Sequence, residues 1–230
     1  FPGQGLQPSV KRLQNSQRYK ERVLLSISGT IEDEIFECLK RSQNFVSGIE
    51  LNISSPNTAG LRIFHEPARL RGLIEGLVAE KQVPLFVKLP PWPRDDDNRR
   101  ELLKLAATAV DAGVDGLVIA NTHPIESSRL QVGRGGLSGA PLFEHTELMI
   151  ADIQAQVKGE VAIIACGGVS TGEHVWKLLA SGASAVQLYT AFIYEGPGLP
   201  SRINKRLSKL MSAAGVTKIA DISGEPPNIQ

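Results

Sequence analysis

Six short apolar runs, separated by longer amphipathic stretches, constrain the fold of this chain more than any other feature. The runs are VLLSIS at 23–28, GIELNIS at 48–54, PLFVKL at 84–89, GLVIAN at 116–121, VAIIAC at 161–166 and AVQLYT at 185–190. Helix-like segments occupy 31–42, 66–81, 97–112, 143–157, 172–181 and 198–214. Repeated strand–helix units of this kind specify a parallel sheet. Several of the strands are nearly continuous in Val, Ile and Leu, the pattern of strands buried on both faces by crossover helices.

Two architectures satisfy that pattern, a doubly wound open sheet and a (β/α)8 barrel. They differ in how many strand ends share a site. Ser28, Ser54 and Ser55, Lys88, Asn121 and Thr122, Gly167 and Gly168, and Tyr189 and Thr190 all stand where runs end. A barrel brings every C-terminal strand end to one mouth, whereas an open sheet joins only the strands at its switch point. The expected fold is therefore α/β, a (β/α)8 TIM barrel, as a single domain over 1–230. At roughly 35 residues per unit, the chain holds about the last six βα units. The first two strands are expected to lie outside it, leaving the domain N-terminally incomplete.

Composition excludes several classes of function. With 25 basic and 24 acidic residues the net charge is +1, which gives no field to attract nucleic acid. Cys38 and Cys166, the only cysteines, form neither a disulfide framework nor a CxxC redox motif. His65, His123, His145 and His174 lack metal-ligand spacing, so no metal site is expected. No apolar run approaches the ~18 residues of a spanning helix, so any membrane anchor is expected outside this chain.

Chemistry is concentrated in the stretch from 165 to 192. A strand ends in Gly167-Gly168, a helix follows, and a second strand ends in Tyr189-Thr190, the shape of the phosphate grip found after the last two strands of many barrels. Glycine lets backbone N–H groups approach phosphate oxygens, and a short helix after Thr190 would add its positive end. GRGGLSGAPL at 133–142, with Ser138 and Gly139, reads as a further flexible, glycine-rich loop. Lys88 interrupts an apolar strand, where a cation needs an anionic partner. It serves either as the partner of an anion at the mouth or as a Schiff-base nucleophile, and sequence leaves both open. Asn52, Asn57 and Asn121 each carry a donor and an acceptor, which suits the alternating edge of a pyrimidine better than a sugar.

Taken in order, LNISSPNTAGLR, FVKLP, DGLVIANT, GGLSGAPL, IIACGGVSTG and GASAVQLYTAFIYEGP resemble the dihydroorotate dehydrogenases, from about residue 1 to the end of the last helix. A lone GG is a weak signal; six motifs in order are a strong one. The resemblance implies an FMN-containing barrel that oxidises dihydroorotate to orotate in pyrimidine biosynthesis. The family uses a cysteine base in soluble members and a serine in membrane-associated, quinone-reducing members. Here NISSPN supplies Ser55. Carried over by motif, Ser55 takes the proton from C5 while hydride leaves C6 for flavin N5, and Thr58 or another hydroxyl relays the proton through water. Asn52, Asn57, Asn121 and Thr122 hold the pyrimidine and its carboxylate. Lys88 sits near flavin N1 and O2. Gly139, Gly167, Gly168, Tyr189 and Thr190 hold the ring edge, ribityl chain and phosphate, with Ser138 adjacent.

The serine implies a quinone acceptor and membrane association, at the mitochondrial inner or the bacterial cytoplasmic membrane, through a segment outside this chain; a soluble-type member would be cytoplasmic. Three departures accompany the resemblance. The family's N-terminal GFDK-type segment is not in this sequence, Phe1-Pro2-Gly3 stands where a GFN motif is usual, and LSISGT places Ser26 where quinone-type members carry Asn. The competing readings are a Schiff-base aldolase barrel using Lys88 and a flavin-binding relative without turnover.

Overall fold

The structure, a computed structural model, describes residues 5–54, 60–91, 93 and 96–229. Each apolar run forms a strand: β1 (Leu24–Ile27), β2 (Gly48–Asn52), β3 (Leu85–Lys88), β4 (Gly116–Ile119), then, after a hairpin of β5 (His123–Glu126) and β6 (Arg134–Leu137), β7 (Ala162–Cys166) and β8 (Ala185–Gln187). The six form one parallel sheet in the order β1-β2-β3-β4-β7-β8, which is chain order. Between the strands run α2 (Glu32–Ser42), α3 (Pro67–Glu80), α4 (Asp96–Asp111), α5 (Phe143–Val157) and α6 (Gly172–Ala180). A helix α1 (Leu6–Asn15) precedes β1, and α7 (Thr190–Glu195) and α8 (Leu199–Ala213) follow β8.

Local chemistry sets the helix ends. Glu32, Asp33 and Glu34 open α2 while Lys40 and Arg41 close it, matching both poles of the helix dipole. Pro67 starts α3, where its missing N–H costs nothing. The Thr171 side chain caps α6 by accepting from the His174 amide.

The two faces of the sheet differ because side chains alternate along a strand. Ile49 and Leu51 of β2 are fully buried in one core with Leu39, Leu70, Leu73 and Ile74 of the covering helices. Each such side chain contributes about 1.5–3 kcal/mol on burial. Glu50 and Asn52 take the opposite face. There Gln187 Nε2 on β8 donates to Glu50 Oε2 on β2 at 3.4 Å, although β3, β4 and β7 lie between them in the sheet. In a flat sheet, strands four places apart are about 19 Å apart. The sheet is therefore curled into a barrel wall with helices outside, and the doubly wound alternative is set aside.

The end of the sheet opposite the mouth is tied together by packing and one carboxylate. The Phe86 ring lies over Gly116, where a Cβ would come within 2.7 Å of it. Asp115, just before β4, accepts the Leu85 amide at 2.7 Å through its side chain and pairs with Lys81. Its own backbone donates to Leu85 O at 2.9 Å and accepts from Ala162 N at 3.1 Å. One residue thus ties together the starts of β3, β4 and β7.

Two elements differ from the sequence reading. α1 lies in a segment not read as a helix, although Leu6, Val10 and Leu13 have helical spacing and Pro8 is tolerated in the first turn. The expected flexible loop at 133–142 contains β6, paired antiparallel with β5. Its glycines permit close packing rather than mobility, since a side chain at Gly136 would strike the Thr122 hydroxyl. Among the described residues, no helix is long and apolar enough to cross a membrane.

Candidate functional site

At the C-terminal ends of β2 and β4, three of the expected residues share one rim. Asn121 Nδ2 donates to Asn52 Oδ1 at 3.3 Å and to Ser54 Oγ at 3.1 Å. The Ser54 amide donates to Asn52 Oδ1 at 3.1 Å, and Ser54 Oγ donates to the Lys88 carbonyl at 3.1 Å. The Thr122 amide donates to Asn121 Oδ1 at 2.8 Å. Ser54 was legible only as part of a polar strand end, yet it joins the two asparagines to β3. His65, in the turn Leu61–His65, braces the same rim with Nε2 3.0 Å from Ile53 O. Ser55, Asn57 and Thr58 lie outside the described residues.

Level with Asn52 in the sheet register, Lys88 extends into the barrel interior toward Glu50. Its Nζ is 3.7 Å from Glu50 Oε1 and 3.7 Å from Cys166 Sγ. Glu50 is only 5% exposed, and its carboxylate also accepts from Ser26 Oγ at 2.8 Å and from Gln187 Nε2. A buried charge persists only when paired and hydrogen-bonded, and here both ions are. Lys88 has the anion-partner arrangement of the two considered for it. Burial pushes the Cys166 thiol up from its ordinary value; Lys88 opposes that rise and Glu50 adds to it. Glu50, Cys166 and Gln187 were missed in the sequence. The signal for Glu50 was present, an acid inside the apolar strand GIELN, and it called for the reasoning applied to Lys88.

The glycine turns complete the mouth. Directly after Cys166, Gly167 has φ 149° and Gly168 φ 75°. A side chain at Gly168 would run into the Phe143 backbone, and one at Gly167 into the Thr146 hydroxyl, so this turn is wedged against the first turn of α5. His174 supports it from α6: its ring stacks on Phe143 at 4.0 Å, and Nδ1 accepts the Ser170 amide at 3.3 Å. Burial holds that imidazole below the ordinary histidine pKa. Gly168→Ala combines a left-handed backbone with a backbone collision. Its expected cost is about 2–5 kcal/mol, read as a lower urea midpoint, and a midpoint equal to wild type would refute the close approach.

Ser138 and Gly139 follow β6 and meet the start of α7. Thr190 Oγ1 donates to Ser138 Oγ at 3.1 Å, and a Cβ on Gly139 (φ 82°) would lie 2.9 Å from Thr190 Cγ2. Tyr189, 54% exposed, precedes Thr190. The Cys166↔Gln187 register pair sets the Gly167-Gly168 turn and the Tyr189-Thr190 end beside each other. No group of three or more His, Cys, Asp or Glu suited to a metal occurs among the described residues.

A curled parallel sheet with its polar side chains and glycine turns gathered at the C-terminal strand ends defines a (β/α) barrel with one ligand mouth. The family model for dihydroorotate dehydrogenase matches residues 1–211, and the chain belongs to that family. It is 37% identical over 185 residues to the dihydroorotate dehydrogenase (quinone) of Sphingopyxis alaskensis, covering 76% of this chain and 50% of that protein. It is 35% identical over 219 residues to the mitochondrial dihydroorotate dehydrogenase (quinone) of Arabidopsis thaliana, covering 88% of this chain and 47% of that one. The chain thus spans about half the length of these relatives. The ligand-free dihydroorotate dehydrogenase structure from Eimeria tenella superposes with a TM-score of 0.83 at 32% identity, over 97% of this chain and 71% of that one.

Proposed function

We propose that the protein oxidises (S)-dihydroorotate to orotate with FMN as cofactor and a quinone as electron acceptor, in pyrimidine biosynthesis. The observation that carries this reading is the amide rim of Asn52, Ser54 and Asn121 set beside Lys88, the register partner of Asn52. Membership of a flavin-dependent family, with quinone-type relatives, supports it. The residues present also fit FMN. Gly167 and Gly168, with backbone too close to α5 for side chains, and the paired hydroxyls of Ser138 and Thr190 suit a phosphate and ribityl chain. Gly139 and Tyr189 flank them.

When bound, FMN supplies the two-electron acceptor for the hydride leaving C6 of dihydroorotate. Ser55 takes the proton from C5, which demands a relay to a stronger acceptor, because a serine hydroxyl is a poor base alone. Thr58 is the candidate relay. Asn52, Asn57, Asn121 and Thr122 orient the pyrimidine through paired donors and acceptors. Lys88 would place positive charge beside the bound ring, where it would stabilise negative charge. The quinone acceptor places the protein at a membrane.

An absorbance spectrum of the purified full-length protein, then anaerobic addition of dihydroorotate, tests this reading. Bands near ~450 nm that bleach are the expected result. Bound flavin that does not bleach would remove the orotate assignment, and absence of flavin would remove FMN.

A further inference from the structure

Glu50 has no part in the reaction described above, yet it is the one charged residue fully buried among the described residues. Its partners come from three strands: Ser26 Oγ on β1 at 2.8 Å, Lys88 Nζ on β3 at 3.7 Å and Gln187 Nε2 on β8 at 3.4 Å. The carboxylate is therefore fixed from both edges of the sheet. Lys88 Nζ, the proposed cationic partner of the flavin, is held between that carboxylate and Cys166 Sγ.

We propose that Glu50 is a positioning residue that ties the Lys88 ammonium to the inner wall and offsets its charge, so that the flavin's electron-rich edge meets a balanced ion pair instead of a lone cation. The proposal rests on the FMN reading above. A lone cation would stabilise the negative charge gained on reduction, and a carboxylate beside the same ammonium withdraws much of that stabilisation. Glu50 thereby sets the flavin at a lower potential, from which electrons pass more readily to the acceptor. Cys166 supplies a second view of the same charges, because Lys88 favours its thiolate while Glu50 opposes it.

The test is Glu50→Gln in the full-length protein, which removes the charge while keeping shape and partners for Ser26 and Gln187. Reductive titration against a reference dye is expected to favour the reduced flavin about tenfold more than in wild type, about 30 mV upward for a two-electron couple. With Cys38 replaced by Ser, Cys166 is expected to hold about tenfold more thiolate at a given pH than in wild type. Glu50→Asp, which keeps the charge but holds it a methylene farther from Lys88, should move both readings in the same direction by a smaller step. An unchanged potential in a variant that binds flavin normally overturns the proposal. If wild type binds no flavin, the cofactor reading falls separately and the thiol decides: an unchanged Cys166 thiolate fraction in Glu50→Gln overturns the link from Glu50 to Lys88, and a raised one upholds it. Should Glu50→Gln fail to fold, Glu50→Asp is read in its place, its longer reach to Lys88 moving both readings in the Gln direction by a smaller step, and no movement overturns the proposal.

Discussion

Lys88→Met is expected to lower the stability of the folded chain by about 3–5 kcal/mol, because it leaves a buried carboxylate without its cation. The Ser26 hydroxyl and Gln187 amide would still reach Glu50, but neither cancels its charge. The measurement is urea unfolding of wild type, Lys88→Met, Glu50→Leu and the double variant. Removing both ions should restore most of the loss, since a buried ion pair and an apolar pair of similar volume are often close in energy. A loss below about 1 kcal/mol for the single variant would mean that Glu50 is solvated, against its 5% exposure.

For the reaction, the largest effect is expected at Ser55. Ser55→Ala should slow anaerobic bleaching of the flavin by dihydroorotate by about 100- to 10,000-fold, the usual contribution of a positioned general base. Flavin content should stay at the wild-type level, because the residues assigned to FMN lie on other loops. A bleaching rate within about threefold of wild type would assign the base to another group.

The fold was largely legible because two-sided burial writes itself into the sequence as continuous apolar runs. All six barrel strands and the helices between them lie where those runs and periodicities put them, with ends shifted by a few residues. The hairpin was not legible: RGGL carries none of the β-branched or aromatic residues that mark strands, and Gly136 serves packing against Thr122. The rim asparagines were found because polar groups ending a strand are conspicuous. Glu50 carried a local signal, an acid inside an apolar strand, but its link to Gln187 did not, because only the curl of the sheet brings the two within reach. A contact between residues 137 positions apart leaves no local pattern.

Asp115, at the far end of the barrel from Lys88, joins three strand starts with one side chain and its own backbone. Strand alignment thus has an anchor at the end where no ligand is handled, besides the bonds made at the rim. Descendants of this chain are free to explore new rims without re-inventing the scaffold, and to gain heat tolerance at the floor without relearning what they recognise.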